Sequence, residues 1–294
     1  MSASERAEHV RLAQAKVGTV PCPFRSGPSG AVCNKRGGVC SLRLYQLGAD
    51  GVVSTASGPS GALRSVCPHR FEEGDLVRAW IGAELLGTDQ PLHVPEVPFL
   101  KPERSRLGDE DDRGSVGRID SVLVHPGQAA LAWCAVEVQA VYFSGPALSR
   151  DFSLLEDLTH DGTPFPTAIR RPDYRSSGPK RLMPQLQIKV PTLRRWGKKM
   201  AVVVDEAFFE SLGSMDTVAD TSNADIVWFV VGFEEQGRTA RLVPRFTRAT
   251  TLERAVEGLT AGVPVTLGQF EQEIRRRIPR GAGSGLLGAS QETG

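Results

Sequence analysis

Two groups of residues in this chain have the types and spacing to do chemistry. The first is built on carboxylates. Asp120 stands near the start of one apolar stretch and Glu137-Val138-Gln139 lies in the next, with sixteen residues between Asp120 and Glu137. In a strand, Glu137 and Gln139 share one face and Val138 takes the other. A turn between the stretches brings Asp120 alongside, so two carboxylates and an amide converge in an apolar sheet. Buried carboxylates are costly unless paired or metal-bound. Two that face each other suit a hard divalent cation such as Mg²⁺, which takes a phosphate oxygen as a further ligand and polarises a phosphodiester. An earlier acid often joins such a set. Glu96, Glu103 and Glu110 are candidates, and Glu96 in Glu96-Val97-Pro98-Phe99-Leu100 is the foremost. The plainer alternative makes Asp120 a turn residue and Glu137 a surface charge on an edge strand.

The second group is built on sulfur. Four of the five cysteines fall in the first quarter of the chain, spaced Cys22-x10-Cys33-x6-Cys40-x26-Cys67. Gly, Pro and Ser crowd the same region, as in Ser26-Gly27-Pro28-Ser29-Gly30 and Ser57-Gly58-Pro59-Ser60-Gly61. A segment so poor in large apolar residues needs a staple, and a metal supplies one. The paired CxxC knuckles of common zinc ribbons are missing. Four thiolates from separate loops still enclose a tetrahedral ion, either zinc or iron. Ordinary buried thiols are the alternative, as is His69 in place of one ligand. Cys134, beside Trp133 in an apolar stretch, reads as a small core residue.

The elements that must position these groups follow from periodicity. Residues 75–87 carry apolar side chains at helical spacing, from Leu76 to Leu86. A proline-broken extended piece covers residues 93–102, and an acidic loop with Asp109, Glu110, Asp111 and Asp112 covers 108–117. Residues 115–124 and 129–143 then give the strongest strand signals, joined by the turn His125-Pro126-Gly127-Gln128, so the pair reads as a hairpin. The second of these is apolar almost throughout, as in a strand buried on both faces. Residues 182–196 read as partly helical despite Pro184 and Pro191. Residues 199–204 and 226–233 read as strands, and 251–259 and 269–278 as helices. The Gly/Ser-rich end, 281–294, reads as a flexible tail.

Charge points to nucleic acid only through its distribution. The 294 residues carry a formal net charge of +1. Residues 170–199, however, hold ten basic side chains and one acid, Asp173. A local basic stripe is the footprint of phosphate binding, and we assign DNA contact to Arg171, Arg175, Lys180, Arg181, Lys189, Arg194 and Arg195. A solvated surface that balances acidic loops elsewhere is the alternative. Arg275-Arg276-Arg277 ends a helix, where cations complement the dipole without any further role.

The carboxylate pattern resembles the PD-(D/E)XK nuclease motif, with Gln139 where most members have lysine. The chain as a whole is similar to the NotI restriction endonuclease family. The likeness rests on Cys22-Pro23-Phe24, Asn34-Lys35-Arg36-Gly37-Gly38-Val39-Cys40-Ser41-Leu42, Cys67-Pro68-His69-Arg70-Phe71, Gly117-Arg118-Ile119-Asp120 and Glu137-Val138-Gln139, in that order. It covers residues 22–145; the remainder agrees in length and general character. The resemblance implies an α/β fold: a PD-(D/E)XK restriction-endonuclease-like mixed β-sheet core flanked by helices, with an N-terminal four-cysteine metal-binding module. It makes residues 1–72 that module, 73–280 the nuclease domain and 281–294 the tail. It implies that Asp120 and Glu137 ligate Mg²⁺ while Gln139 orients the attacking water or the phosphate. It implies structural iron, with zinc second, on Cys22, Cys33, Cys40 and Cys67, in a module that contributes to DNA contact.

The expected activity is therefore Type II restriction. A homodimer would cut double-stranded DNA at a GC-rich palindrome, leaving 5′-phosphate and 3′-hydroxyl ends. A repair or other defence nuclease of the same fold is one alternative; a non-catalytic, metal-stapled DNA-binding protein is another. The polar first twenty residues lack the apolar stretch of a signal peptide, and no run reaches membrane-spanning length, so a cytoplasmic location is expected. The five histidines form no ligand spacing, and no GxSxG, P-loop or dinucleotide fingerprint occurs.

Overall fold

The computed structural model describes residues 3–15, 18, 20–25, 31–100, 117–145, 149–156, 165–166, 169–237, 239–261 and 265–278. Glu103, Glu110 and nearly all of the expected acidic loop, together with the tail 281–294, lie outside them. Met1–Ala261 forms one compact unit and Gly262–Gly294 a second.

Helix α1 (Ala3–Gln14) opens the first unit. The cysteine-bearing segment follows with four short strands, β1 (Ser41–Leu42), β2 (Tyr45–Leu47), β3 (Val53–Thr55) and β4 (Arg64–Ser65). They form two antiparallel ribbons, β1 with β4 and β2 with β3. Next come α2 (Leu76–Leu86), β5 (Leu92–Leu100), β6 (Gly117–Val124) and β7 (Trp133–Val138). A small ribbon of β8 (Phe143–Ser144) and β9 (Arg171–Pro172) brackets α3 (Ser149–Glu156). Helices α4 (Tyr174–Ser177) and α5 (Met183–Arg195) lead into β10 (Met200–Asp205) and α6 (Glu206–Glu210). The unit closes with β11 (Ile226–Gln236), β12 (Thr239–Thr250) and α7 (Leu252–Thr260). The second unit contains α8 (Leu267–Arg277).

The centre is a six-stranded mixed sheet in the order β12-β11-β10-β7-β6-β5. Only the pairs β10–β11 and β10–β7 are parallel. Every residue of β10 (Met-Ala-Val-Val-Val-Asp) is buried, as expected for a strand covered on both faces. On one face α5 lays Leu186, Val190 and Leu193 against Val202, Val204 and Trp228. On the other, Val77 and Ile81 of α2, one turn apart, pack on Leu123, Val136, Val203 and Phe229. Gly87, at φ 73°, ends α2 in the left-handed conformation that glycine adopts without strain.

The expected hairpin is β6–β7, and the proline-broken piece is β5, an edge strand, where prolines 95 and 98 remove N–H groups at little cost. Besides the short elements of the cysteine-bearing segment and helices α3, α4 and α6, two longer elements escape periodicity. Helix α1 is polar over most of its length, and β12, with only Leu242 and Thr250 buried, carries arginines at 241, 245 and 248. Pairing with the buried β11, rather than apolar content, makes β12 a strand.

Buried and partly buried hydrogen bonds join the cysteine-bearing segment to the sheet and to α4. The Ser65 N–H donates to Asp205 Oδ2 at 2.7 Å, and the Val141 N–H to the Ser65 carbonyl at 2.8 Å. Arg64 Nε donates to the Tyr174 hydroxyl at 2.7 Å, and Arg70 Nη2 to the Ala240 carbonyl at 2.6 Å.

Candidate active site

The β6–β7 ladder runs from Val124↔Trp133 to Ser121↔Val136 and stops there. The next pair across would be Asp120 and Glu137. Here the strands part, because β7 stays with its other neighbour: Glu137 pairs with Val202, and the Gln139 N–H reaches the Val203 carbonyl at 3.0 Å. The two carboxylates stand in for the missing carbonyls. The Asp120 N–H donates to Glu137 Oε1 at 3.4 Å and the Val138 N–H to Asp120 Oδ2 at 3.3 Å. Register places Glu96 opposite Asp120 on the third strand, between Pro95↔Ser121 and Val97↔Ile119. Glu96 has φ 50°, left-handed for a residue with a Cβ, and its carboxylate accepts from Arg118 Nη1 at 3.1 Å. Three acids thus occupy one row across β5, β6 and β7.

Glu137 is buried, with its side chain 1% exposed. Burial, then the neighbouring Asp120 charge, lift it to about 7, although Lys189 pulls the other way. Burial also raises Asp120, with Glu96 adding to the rise. The ammonium of Lys189, on α5, donates to Glu137 Oε1 and to Gln185 Oε1, the latter at 2.8 Å. Gln139 is buried, and its Nε2 donates to the Ala140 carbonyl at 2.6 Å.

The four cysteines of the first quarter are all free of disulfides. Cys40 and Cys67 share a hydrogen bond, with Cys33 and Cys22 within electrostatic reach of Cys40. The shared bond and burial raise Cys40, and the same bond lowers Cys67. Among the described residues no group of three or more His, Cys, Asp or Glu is placed to hold a metal ion. Cys134 is buried in β7, apart from this group, and burial pushes its thiol up to about 12.

Residues 8–243 match the family model described as restriction endonuclease NotI, a span that holds the cysteines, the row of acids and α5. The chain belongs to the NotI restriction endonuclease family. Membership makes it a DNA-binding, DNA-cleaving hydrolase. No curated protein matches the chain. No helix among the described residues is long and apolar enough to cross a membrane.

Within this NotI-family fold the basic stretch divides. Arg171, Arg175, Lys180 and Arg181 are exposed. Arg181 stacks on the Tyr142 ring at 3.6 Å, three residues beyond Gln139, and Arg171 pairs with Ser144 in the β8–β9 ribbon, so these two lie in or against the segment that follows β7. At the far end of α5, Arg194 is held by Asp225 at 2.5 and 2.8 Å and by Glu253 at 3.1 Å. Arg195 is exposed and donates to the Thr192 hydroxyl at 2.9 Å. Lys189 is buried against Glu137, whereas its place in a basic run suggested a phosphate contact. The signal that locates it is helical spacing: Leu182, Leu186, Val190 and Leu193 mark the inner face of the helix, and position 189 falls among them.

Proposed function

We propose that the chain is a Type II restriction endonuclease that cuts double-stranded DNA in a Mg²⁺-dependent reaction, leaving 5′-phosphate and 3′-hydroxyl ends. The observation that carries the reading is Asp120 facing Glu137 where β6 and β7 part, in a chain of the NotI family. It supports a PD-(D/E)XK assignment with Gln139 in the lysine position.

The site fits a hard cation. Asp120 and Glu137 face each other at the strand opening, and Lys189 is bound to Glu137 alone, so a cation between the two acids would offset their mutual repulsion. Asp120 and Glu137 would hold Mg²⁺, with Glu96 as a third acid. Bound there, the ion supplies polarisation of the phosphodiester and a lowered pKa for the attacking water. The chain's own groups do the rest. Gln139 orients water or phosphate through its amide once it releases the Ala140 carbonyl, and Lys189 keeps Glu137 in place. Arg171, Arg175, Lys180 and Arg181 seat the DNA backbone beside the acids, and Arg195 extends that contact. Cys22, Cys33, Cys40 and Cys67 have the donor chemistry for structural iron or zinc, and the family resemblance favours that use. A homodimer with two-fold symmetry would set one site on each strand of a palindrome; the family resemblance favours a GC-rich one.

The test is digestion of phage and bacterial genomic DNA in Mg²⁺, beside Asp120→Ala and Glu137→Ala. Discrete fragments from the parent and none from either variant are expected. Fragments that persist in both variants would remove these carboxylates from the chemistry. DNA retained in a shift assay with no cleavage would make the chain a binding protein.

A further inference from the structure

We infer that Lys189, carried on α5 rather than on the sheet, is the positioning cation of the active site and fills the role that Gln139 leaves without charge. The inference rests on the nuclease reading above and names a residue of that site.

Lysine is almost never fully buried unless paired. Lys189 is 6% exposed, on the inner face of α5 between Leu186 and Val190, and its ammonium ends on Glu137. Gln185, one turn earlier on the same helix, accepts a second of its three N–H bonds at 2.8 Å. Both partners hold the cation at the acid beside the strand opening. Stability alone does not call for this arrangement, because an apolar pair at positions 137 and 189 would cost less than two desolvated charges. The charge is useful where Glu137 and Asp120 crowd together and a phosphate must approach. Gln139 cannot provide it, being a neutral amide turned to the Ala140 carbonyl. Helix α5 therefore delivers, from the opposite layer, a charge that the sheet strand lacks.

The test combines Lys189→Met, Gln139→Lys and the exchange Lys189→Gln with Gln139→Lys. DNA affinity is read in Ca²⁺ buffer, folding by thermal melting without metal, and chemistry by single-turnover cleavage in Mg²⁺. Lys189→Met is expected to slow cleavage by about 100-fold or more, as loss of a preorganised charge does, with DNA affinity within about threefold of the parent. The exchange variant is expected to recover at least about tenfold over Lys189→Met, because it returns a lysine to the same acid from the strand. Where Lys189→Met melts too low to assay, the exchange variant alone decides. Cleavage by Lys189→Met at the parental rate, a parallel loss of DNA affinity, or no recovery in the exchange variant would each overturn the role. A parent protein that cuts no DNA in Mg²⁺ would instead overturn the nuclease reading itself.

Discussion

Glu96 carries a backbone cost in full view of the acids. A non-glycine residue at φ 50° stores roughly 1–3 kcal/mol, and such strain persists where the surroundings enforce it. Glu96→Gly should relieve it and raise stability by about 1 kcal/mol in chemical denaturation, while cleavage falls because the third acid is gone. A variant less stable than the parent would show that the Arg118 contact outweighs the strain. Asp205 makes a second prediction at this scale. It is buried at the end of β10, and desolvation lifts it to about 6 although the N–H groups of Ser65 and Phe208 favour its charge. The folded value lies above the unfolded one, near 3.8. Its contribution to stability is therefore complete below that pH and is lost as pH rises through about 6. Asp205→Asn does not titrate, so the parent's stability relative to this variant should fall between pH 4 and pH 7, read from urea midpoints. A relative stability that grows with pH would refute the assignment.

Helix α5 works as a lever between core and site. Its inner residues hold it on the sheet, and Lys189 rides one turn from Leu193 and beside Leu186. The helix starts from a π-turn, Gly178–Leu182, a widened turn of the kind often found at functional positions. Leu186 is fully buried, so Leu186→Ala should cost about 2–5 kcal/mol. It should also slow cleavage at temperatures where the variant remains folded, since the cavity lies directly behind Lys189. Unchanged cleavage in a destabilised variant would separate the packing of α5 from the chemistry. The edge strands tell a different story. Strand β5 keeps its place through backbone pairing with β6 and carries prolines where no partner needs an N–H. That position lets it bring Glu96 to the acids without a central-strand sequence.

Across the whole molecule the near-neutral charge hides an uneven surface. Arg171, Arg175, Lys180 and Arg181 are exposed, with Arg181 stacked on Tyr142 just beyond β7, while Arg194 is spent on Asp225 and Glu253. Arg181→Ala should weaken DNA binding and reduce the log–log salt slope by about one. Arg194→Ala should leave the slope unchanged and lower thermal stability. Equal slopes for the parent and Arg181→Ala would move the DNA path elsewhere. The bonds from Arg64, Ser65 and Arg70 to Tyr174, Asp205 and Ala240 tie the cysteine-bearing segment to α4 and to strands β10 and β12 of the sheet.

Local pattern alone determined much of this protein. The alternation of residues 115–124 and the apolar run after residue 129 gave the hairpin, and the D-x16-E-x-Q spacing within it marked the acids. Family motifs joined to that pattern pointed to a nuclease. Helical spacing at Val77 and Ile81, or strands as apolar as β10, record burial directly, because a side chain's surroundings there are set by its own element. Only the tertiary structure decided what depends on a partner. Strand β12 exists because β11 offers an edge, not because of its composition. The parting of β6 from β7 arises because β10 holds Glu137's strand. The ten cations of residues 170–199 read alike in sequence; folding sent Lys189 to a buried acid, Arg170 and Arg194 to ion pairs and Arg181 to the face of Tyr142. Charge identity is written in the chain, but charge environment is a property of what packs against it.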